Sequence, residues 1–212
     1  MTKELLLKRI AQSAYNVGFG AKKHFATYDI TSKVPGIIEF LSLAIGVLTL
    51  CFDIASAKMV STCLIIFGII SIYISKYNEN QVEYSRAASE LTQIFNSMKD
   101  LYYEVKSKEN TENLDTDISK LKELEEGFYR ISKPKQIILS DWFAHYKFFW
   151  QWRTHIKWLA DELSLTTKDK IPLSFIVICI FVFVGLLVLV FFDCIAVLSD
   201  MLINFCLQNH IK

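Results

Sequence analysis

The sequence has little glycine and proline, with seven and three residues among 212. A fold of strands and tight turns needs many of both, so their scarcity disfavours a β-rich architecture. The five cysteines form no CxxC pair and lie in or beside apolar stretches. This pattern indicates neither a disulfide framework nor a zinc site. We therefore expect an all-α protein in which cysteine acts as a small apolar side chain.

Sequence motifs of catalysis are also missing. No HExxH, P-loop or GxSxG string occurs, and the four histidines are scattered along the chain. The net charge is +1, which gives no bulk attraction to nucleic acid. We predict a protein that is not an enzyme, needs no metal or cofactor, and does not bind nucleic acid directly.

Long apolar runs are what the sequence has in excess. About 20 apolar residues in a helix cross the hydrocarbon core of a bilayer, and roughly 17 suffice. The stretches 34–52, 59–75 and 171–192 meet this length, and Glu39 is the only charged residue among them. Only helices satisfy every backbone group at these lengths in lipid, so all three are predicted to be transmembrane helices.

The distribution of basic residues predicts the orientation in the membrane. Only residues 53–58 join the first two spans, which must therefore form a tight hairpin. Lys and Arg number six in residues 1–33, fifteen in 76–170 and one in the hairpin loop. By the positive-inside rule the N-terminus and residues 77–170 are cytoplasmic. The expected location is the cell inner membrane, with several passes and the C-terminal tail on the opposite side.

The chain is accordingly divided into five parts. These are a basic amphipathic helix at 1–33, a transmembrane hairpin at 34–76, a cytoplasmic helical segment at 77–170, a third transmembrane helix at 171–198 and a short tail at 199–212. Neither glycine nor proline lies between Gly68 and Gly127, which predicts that the second span continues unbroken into the cytoplasm. Pro35 and Pro172 are predicted to mark helix starts.

Apolar residues recur in steps of three and four along the polar parts of the chain. The first stripe is Leu7, Ile10, Ala14, Val17, Ala21, His24 and Tyr28. The second is Tyr84, Ala88, Leu91, Phe95, Met98, Tyr102 and Val105. The last runs through Ile138, Trp142, His145, Phe149, Trp152, Ile156, Leu159 and Leu163. Such stripes bury against partner helices, and we expect the first to pack beside the second. An intrachain bundle and a homo-oligomer would both cover them, and the neighbouring hairpin favours the oligomer.

Glu39 is the most unusual residue, because a carboxylate inside a span is costly and tends to face a cavity, a partner or water. Two interpretations stay open. Glu39 lines an ion path in an oligomer, or it lies a turn inside the helix, where negative charge near the N-terminus is favoured. Gly46 and Gly68 are small enough for close helix approach, and Asp53 flanks the hairpin turn either as an interfacial anchor or at a pore mouth. These four residues are the predicted pore lining.

Further candidate residues lie in the polar segments. All four tryptophans fall between Trp142 and Trp158, beside basic residues. Such a cluster suits a nucleotide ligand, a belt at the membrane surface or a bulky core. The candidate residues for sensing a ligand or partner are Arg86, Trp142, His145, Arg153 and Lys157. Anionic headgroups attract each nearby basic residue by about 1 kcal/mol. The expected lipid-facing anchors are Lys8, Arg9, Lys22, Lys23 and Lys33.

The order of these parts resembles the SLATT domain family, the SMODS- and SLOG-associating two-transmembrane effector domains. The resemblance covers roughly residues 5–160. It includes the basic helix with Lys22-Lys23-His24, the minimal hairpin loop, a long helix with Glu83-Tyr84-Ser85-Arg86-Ala87 and an aromatic helix. The third span is a departure from the two-span pattern.

The resemblance implies a membrane effector of prokaryotic anti-phage or conflict systems. Such an effector is expected to respond to a cyclic oligonucleotide or an operon-encoded sensor protein, to form a homo-oligomer and to permeabilise the membrane, arresting the infected cell by abortive infection. The alternative function is a non-conducting membrane scaffold that recruits a soluble partner through its helices. A small transporter subunit is a third interpretation, and it would call for spans interrupted by paired Gly or Pro.

Overall fold

The computed structural model describes residues 1–52, 56–110 and 112–210, which form seven α-helices and no strand. They are α1 (Lys3–Cys51), α2 (Ala57–Ser75), α3 (Gln81–Ser107), α4 (Asp115–Ile131), α5 (Ser140–His145), α6 (Lys157–Glu162) and α7 (Leu173–His210). Three of them, α1, α2 and α7, are long and apolar enough to cross a membrane. The predicted all-α membrane fold is confirmed. The chain divides into two compact units, Met1–Lys170 and Ile171–Lys212.

α1 is a helix of 49 residues that continues through Pro35. The prediction that Pro35 marks a helix start is therefore wrong, and the basic segment and the first span are one continuous helix. A proline inside a helix costs about 3 kcal/mol, since it removes a hydrogen bond and crowds the preceding turn. Packing on both sides offsets this cost. Thr31 is buried and accepts a 3.5 Å hydrogen bond from Gln81, and Ile38 is buried one turn beyond the proline.

The second span does not continue unbroken, contrary to the prediction. α2 ends at Ser75, a 3-10 turn follows at Asn78–Asn80, and α3 begins at Gln81. Asn78 and Asn80 explain the break, because asparagine side chains compete with the backbone for hydrogen bonds and disfavour helix interiors. The break lets the ring of Tyr77 turn into a small apolar cluster with Ile74, Tyr84 and Ile137.

The main core of the first unit lies between α1 and α3. The stripes predicted on these two helices are buried along their length, with only Tyr28 half-buried, and they face each other as expected. Side chains crowd closely against α1 at Gly18, where an added β-carbon would lie 2.8 Å from the Phe95 ring and 2.9 Å from the Phe148 ring. Leu114, Leu121, Phe148, Phe149, Ile156, Trp158 and Leu159 complete the core.

The aromatic region after Pro134 is not one regular helix. A π-helical segment, Tyr146–Gln151, follows α5 directly, and a turn leads from it to α6. The Trp152 N–H donates to the Lys147 carbonyl at 3.1 Å, and this wider turn places both Phe148 and Phe149 in the core. Ile138, assigned to the last stripe, is exposed because it precedes α5 and lies in a loop.

Candidate functional site

Of the four predicted pore-lining residues, the three that the structure describes are not packed between the two helices of the hairpin. Glu39 is exposed. An added β-carbon at Gly46 or Gly68 would meet no atom within 4 Å. The expectation that these glycines allow close approach is therefore wrong for the two helices of a single chain. Asp53 lies outside the described residues.

Glu39 belongs to a polar stripe on α1 that the sequence analysis missed. Glu39, Ser42, Gly46 and Thr49 follow one another in steps of three and four, and none of them is buried. The Thr49 hydroxyl donates to the Ile45 carbonyl at 2.6 Å, which satisfies it within its own helix. The signal was present in the sequence, since the same spacing that marks an apolar stripe in water marks a polar stripe in an apolar span. We call these four residues the polar stripe.

The predicted sensing residues fall in separate places, and the aromatic ones mostly face the core. His145 stacks on Phe149 with ring centroids 5.6 Å apart and meets Phe19 edge-on at 4.8 Å. Burial lowers the pKa of His145, which favours the neutral ring. Trp142 is half-buried on the same helix. Trp158 is buried beside Tyr102. His145 and Trp158 therefore pack against other aromatic side chains of the first unit.

Arg86 lines a cleft of about 440 Å³ between α3 and the end of α4. The cleft mixes both signs of charge: Glu83 and Glu90 line it together with Arg86, Arg130 and Lys133. Lys133 forms an ion pair with Glu83, and this pairing lowers the pKa of the Glu83 carboxyl. Mixed charge and an internal pair give the cleft little preference for an anion.

Arg153 and Lys157 both line a cleft of about 500 Å³ that also includes Thr154 and Lys170. Asp161 is the single carboxylate on its wall. In the described part of the chain none of the three cationic side chains forms an ion pair. A cavity with unpaired cations and a hydroxyl group suits a phosphate-bearing ligand. We call it the basic cleft.

The basic residues of α1 are not a row of lipid anchors. Because α1 is continuous, Lys8 lies 26 residues before the first apolar residue of the span, about 39 Å along the helix axis. Arg9 pairs with Glu125 at 2.8 Å and Lys23 with Asp141 at 2.7 Å, so both join helices of the bundle. Lys33 alone of the five lies at the start of the span, where it pairs with Asp29 at 2.7 Å.

Lys22 is the clearest departure from the anchor prediction, because it is buried. Its Nζ lies 3.3 Å from the ring centroid of Trp152, a cation–π contact that holds the turn before α6. Burial and, to a smaller extent, the nearby Lys147 ammonium together lower the pKa of Lys22 to about 8. The residue is a structural cation inside the bundle.

A loop at 132–139 connects the bundle to the end of the second span, which the sequence did not indicate. Tyrosines on α2, on α3 and in the break between them hold this loop, and we call them the tyrosine clasp. Its bonds run from the Tyr84 hydroxyl to the Lys135 carbonyl (2.8 Å), from the Tyr77 hydroxyl to the Gln136 carbonyl (3.4 Å) and from the Ile138 N–H to the Tyr73 hydroxyl (3.2 Å). On the other side the Lys133 N–H donates to His24 Nε2 at 3.0 Å.

Comparisons with known proteins agree with this architecture. Searches among curated proteins and among solved structures gave no significant match. One family model does match, over residues 1–179, and this range contains the hairpin and the whole bundle. The match extends further in both directions than the resemblance noted from the sequence. The chain belongs to the family described as SMODS and SLOG-associating 2TM effector domain 6, SLATT_6.

Proposed function

We propose that this protein is a conflict-system effector of prokaryotes that oligomerises and permeabilises the inner membrane when a nucleotide signal or a partner protein triggers it. The family description supports the effector role, and the apolar helices support action in a membrane. The observation that carries the permeabilising role is the polar stripe on α1. The charge distribution of the sequence supports a cytoplasmic bundle, which is where such a signal would arrive.

The polar stripe argues for assembly of several copies. Glu39 lies five residues beyond Val34, about 7.5 Å inside the span. A carboxylate near the centre of a span costs about 2.5–3.5 kcal/mol on insertion scales, and the cost falls when it faces water or a polar partner. In the single chain Glu39 is exposed and no described residue forms an ion pair with it. A ring of copies with the stripes facing inward would place Glu39, Ser42 and Thr49 along a water-filled path.

Leakage from liposomes tests this proposal. Purified protein is reconstituted at increasing density, and release of K⁺ is followed for the wild type, Glu39→Gln and Gly46→Leu. An added β-carbon at Gly46 meets no atom within 4 Å in the single chain, so Gly46→Leu should leave folding intact. The larger side chain should narrow a path lined by the polar stripe. We expect both variants to reduce leakage.

Leu50→Phe is the matched control, because Leu50 is 89% exposed on α1 and lies outside the stripe. Its leakage should equal that of the wild type. Equal leakage from all four proteins would exclude the stripe as the path. No leakage from the wild type under any added ligand would favour the scaffold function instead.

The basic cleft supports a phosphate-bearing trigger. Charge-assisted hydrogen bonds are worth about 1.5–3 kcal/mol each, so loss of Arg153 and Lys157 together should weaken binding at least about a hundredfold. The measurement is calorimetric titration of the detergent-solubilised protein with cyclic di- and trinucleotides, comparing the wild type with Arg153→Ala/Lys157→Ala. Arg86→Ala, in the mixed-charge cleft, is the control and should bind as the wild type does. Unchanged affinity in the double variant would remove the cleft from the proposal.

A further inference from the structure

We propose that the loop at 132–139 touches the bilayer and places Ile138 and Leu139 among the lipids at the membrane surface. This contact surface is separate from the spans and from the basic cleft. Its occupant is lipid, and the inference does not depend on whether the protein forms a pore.

The hydrogen bonds of the loop show that it descends toward the membrane. The Lys133 N–H bonds to His24, ten residues before the start of the first span on α1, about 15 Å along the axis. Gln136 bonds to Thr27, three residues nearer the span. The Ile138 N–H bonds at 3.2 Å to the hydroxyl of Tyr73, which lies in the last turn of α2.

After this low point the chain turns back. α5 begins at Ser140, and its Asp141 forms a 2.7 Å ion pair with Lys23, again well above the start of the span. Ile138 and Leu139 therefore form the tip of the loop. The headgroup region adds several ångströms beyond each face of the hydrocarbon core, so a residue level with the last turn of a span lies within it.

The side chains at the tip are large, apolar and exposed, as expected for residues that contact lipid. Ile138 is 67% exposed and Leu139 is 53% exposed, although both are large and apolar. Leu139 has a φ of 68°, a left-handed conformation that bulky residues such as leucine rarely adopt. The fold keeps this strained turn, and the turn holds two apolar side chains away from the core. Glycine or asparagine would fit such a turn better if it faced water.

The surroundings of the tip also favour lipid over a protein partner. Ile72, which lies in the last turn of α2 at the level of Tyr73, is also apolar and 66% exposed. Tyr73 and Tyr77 lie with hydroxyls 3.4 Å apart at the same level. Tyrosines concentrate at the boundary between lipid and water, where their rings are apolar and their hydroxyls bind polar groups. The tip is thus an extension of the lipid-contacting surface.

Fluorescence in lipid vesicles tests the proposal on the full-length protein. In a background with the five cysteines replaced by alanine, Ile138→Cys or Leu139→Cys is labelled with the environment-sensitive dye NBD and reconstituted. Tyr129→Cys is the control, because Tyr129 is 76% exposed and lies far from the span. Its neighbour Phe128 packs against Gly20, which is about 21 Å along α1 from the start of the span. Lipids with a nitroxide near the headgroup report contact with the bilayer.

We expect emission at shorter wavelength and a loss of most of the intensity with nitroxide lipids at positions 138 and 139, and neither effect at 129. Water-like emission at all three positions would overturn the proposal. Emission at shorter wavelength without quenching by nitroxide lipids would mean that a second protein chain covers the tip, which also overturns it. Quenching at 129 as strong as at 138 would mean that the whole bundle lies on the membrane, and the loop would have no special role.

Discussion

Gly18 lies where two aromatic rings of the main core pack against α1. Its lack of a side chain lets the rings of Phe95 and Phe148 lie against the backbone of α1, within 2.8 and 2.9 Å of where a β-carbon would be. We predict that Gly18→Ala lowers the free energy of unfolding by about 1–3 kcal/mol, the usual cost of overpacking. The better helix propensity of alanine, worth about 1 kcal/mol, offsets only part of it. Denaturant unfolding in detergent measures the difference.

Gly36→Ala is the matched control for this prediction. It lies in the same helix, and an added β-carbon there would meet nothing within 4 Å. It should leave stability unchanged or raise it by up to about 1 kcal/mol. Equal destabilisation by the two variants would mean that helix flexibility, and not the close approach to Phe95, explains the glycine at position 18.

His24 gives the bundle a sensitivity to mild acid. Its Nδ1 lies 2.7 Å from the Gly20 carbonyl and its Nε2 accepts from the Lys133 N–H, so the ring is neutral with the proton on Nδ1. Burial lowers the pKa of His24, and the charges of Lys23 and Lys133 add to this. The unfolded chain therefore binds a proton near pH 6.5 that the folded chain does not, and stability must fall as the pH drops below about 6.5.

We predict that His24→Gln flattens this dependence between pH 7.5 and 5.5, because a glutamine amide donates and accepts without titrating. Thermal unfolding midpoints across that range provide the measurement. Part of the slope should remain, since burial also lowers the pKa of His145. His155→Gln, at an exposed position, should keep the full wild-type slope. A wild-type midpoint that is constant over the range would contradict the prediction.

At the scale of the helices, the periodicity of the sequence predicts which helix faces are buried. It does not predict where the helices begin and end. The stripes on α1 and α3 are buried as predicted, because burial of a helix face requires that spacing whatever the partner is. The sequence predicts a helix start at Pro35 and no break after Ser75, and both predictions are wrong. Both errors have one cause. Whether a helix continues past proline or asparagine depends on the packing energy of the surrounding residues, which the sequence does not show. Packing retains the helix at Pro35, and the tyrosine clasp favours the break at 76–80.

The tyrosine clasp is the element that links the bundle to the second span, and Tyr84 is its most buried member. We predict that Tyr84→Phe lowers the unfolding free energy by about 1 kcal/mol, since it removes the 2.8 Å bond to the Lys135 carbonyl and keeps the ring. For a chain of this size that corresponds to a midpoint lower by about 2–4 °C. Tyr103→Phe, an exposed tyrosine of the same helix, should have no effect. A shift equal in both would show that the hydroxyl bond contributes nothing.

At the scale of the whole molecule, composition was sufficient to predict an all-α membrane protein, but the candidate sites were predicted only in part. Arg153 and Lys157 are close in sequence and share a cleft, whereas Lys170 joins them only through the fold. Lys22 was expected at the lipid surface, yet it lies inside the bundle on Trp152. A basic residue on an amphipathic helix faces water, lipid or an aromatic ring, and the sequence of one helix does not distinguish these environments.

Removal of the third helix tests whether the first unit is self-sufficient. Every member of the two apolar clusters found among the described residues lies between Leu6 and Leu165, so this described core is built from residues before Lys170. We predict that a chain ending at Lys170 keeps a cooperative thermal transition in detergent, with its midpoint within a few degrees of the full-length protein. Because the polar stripe is on α1, the shortened chain should also keep the wild-type leakage in liposomes if the stripe is the path. A folded but non-leaking chain would assign the conducting role to the third helix, whereas loss of the cooperative transition would mean that the bundle needs α7 in order to fold.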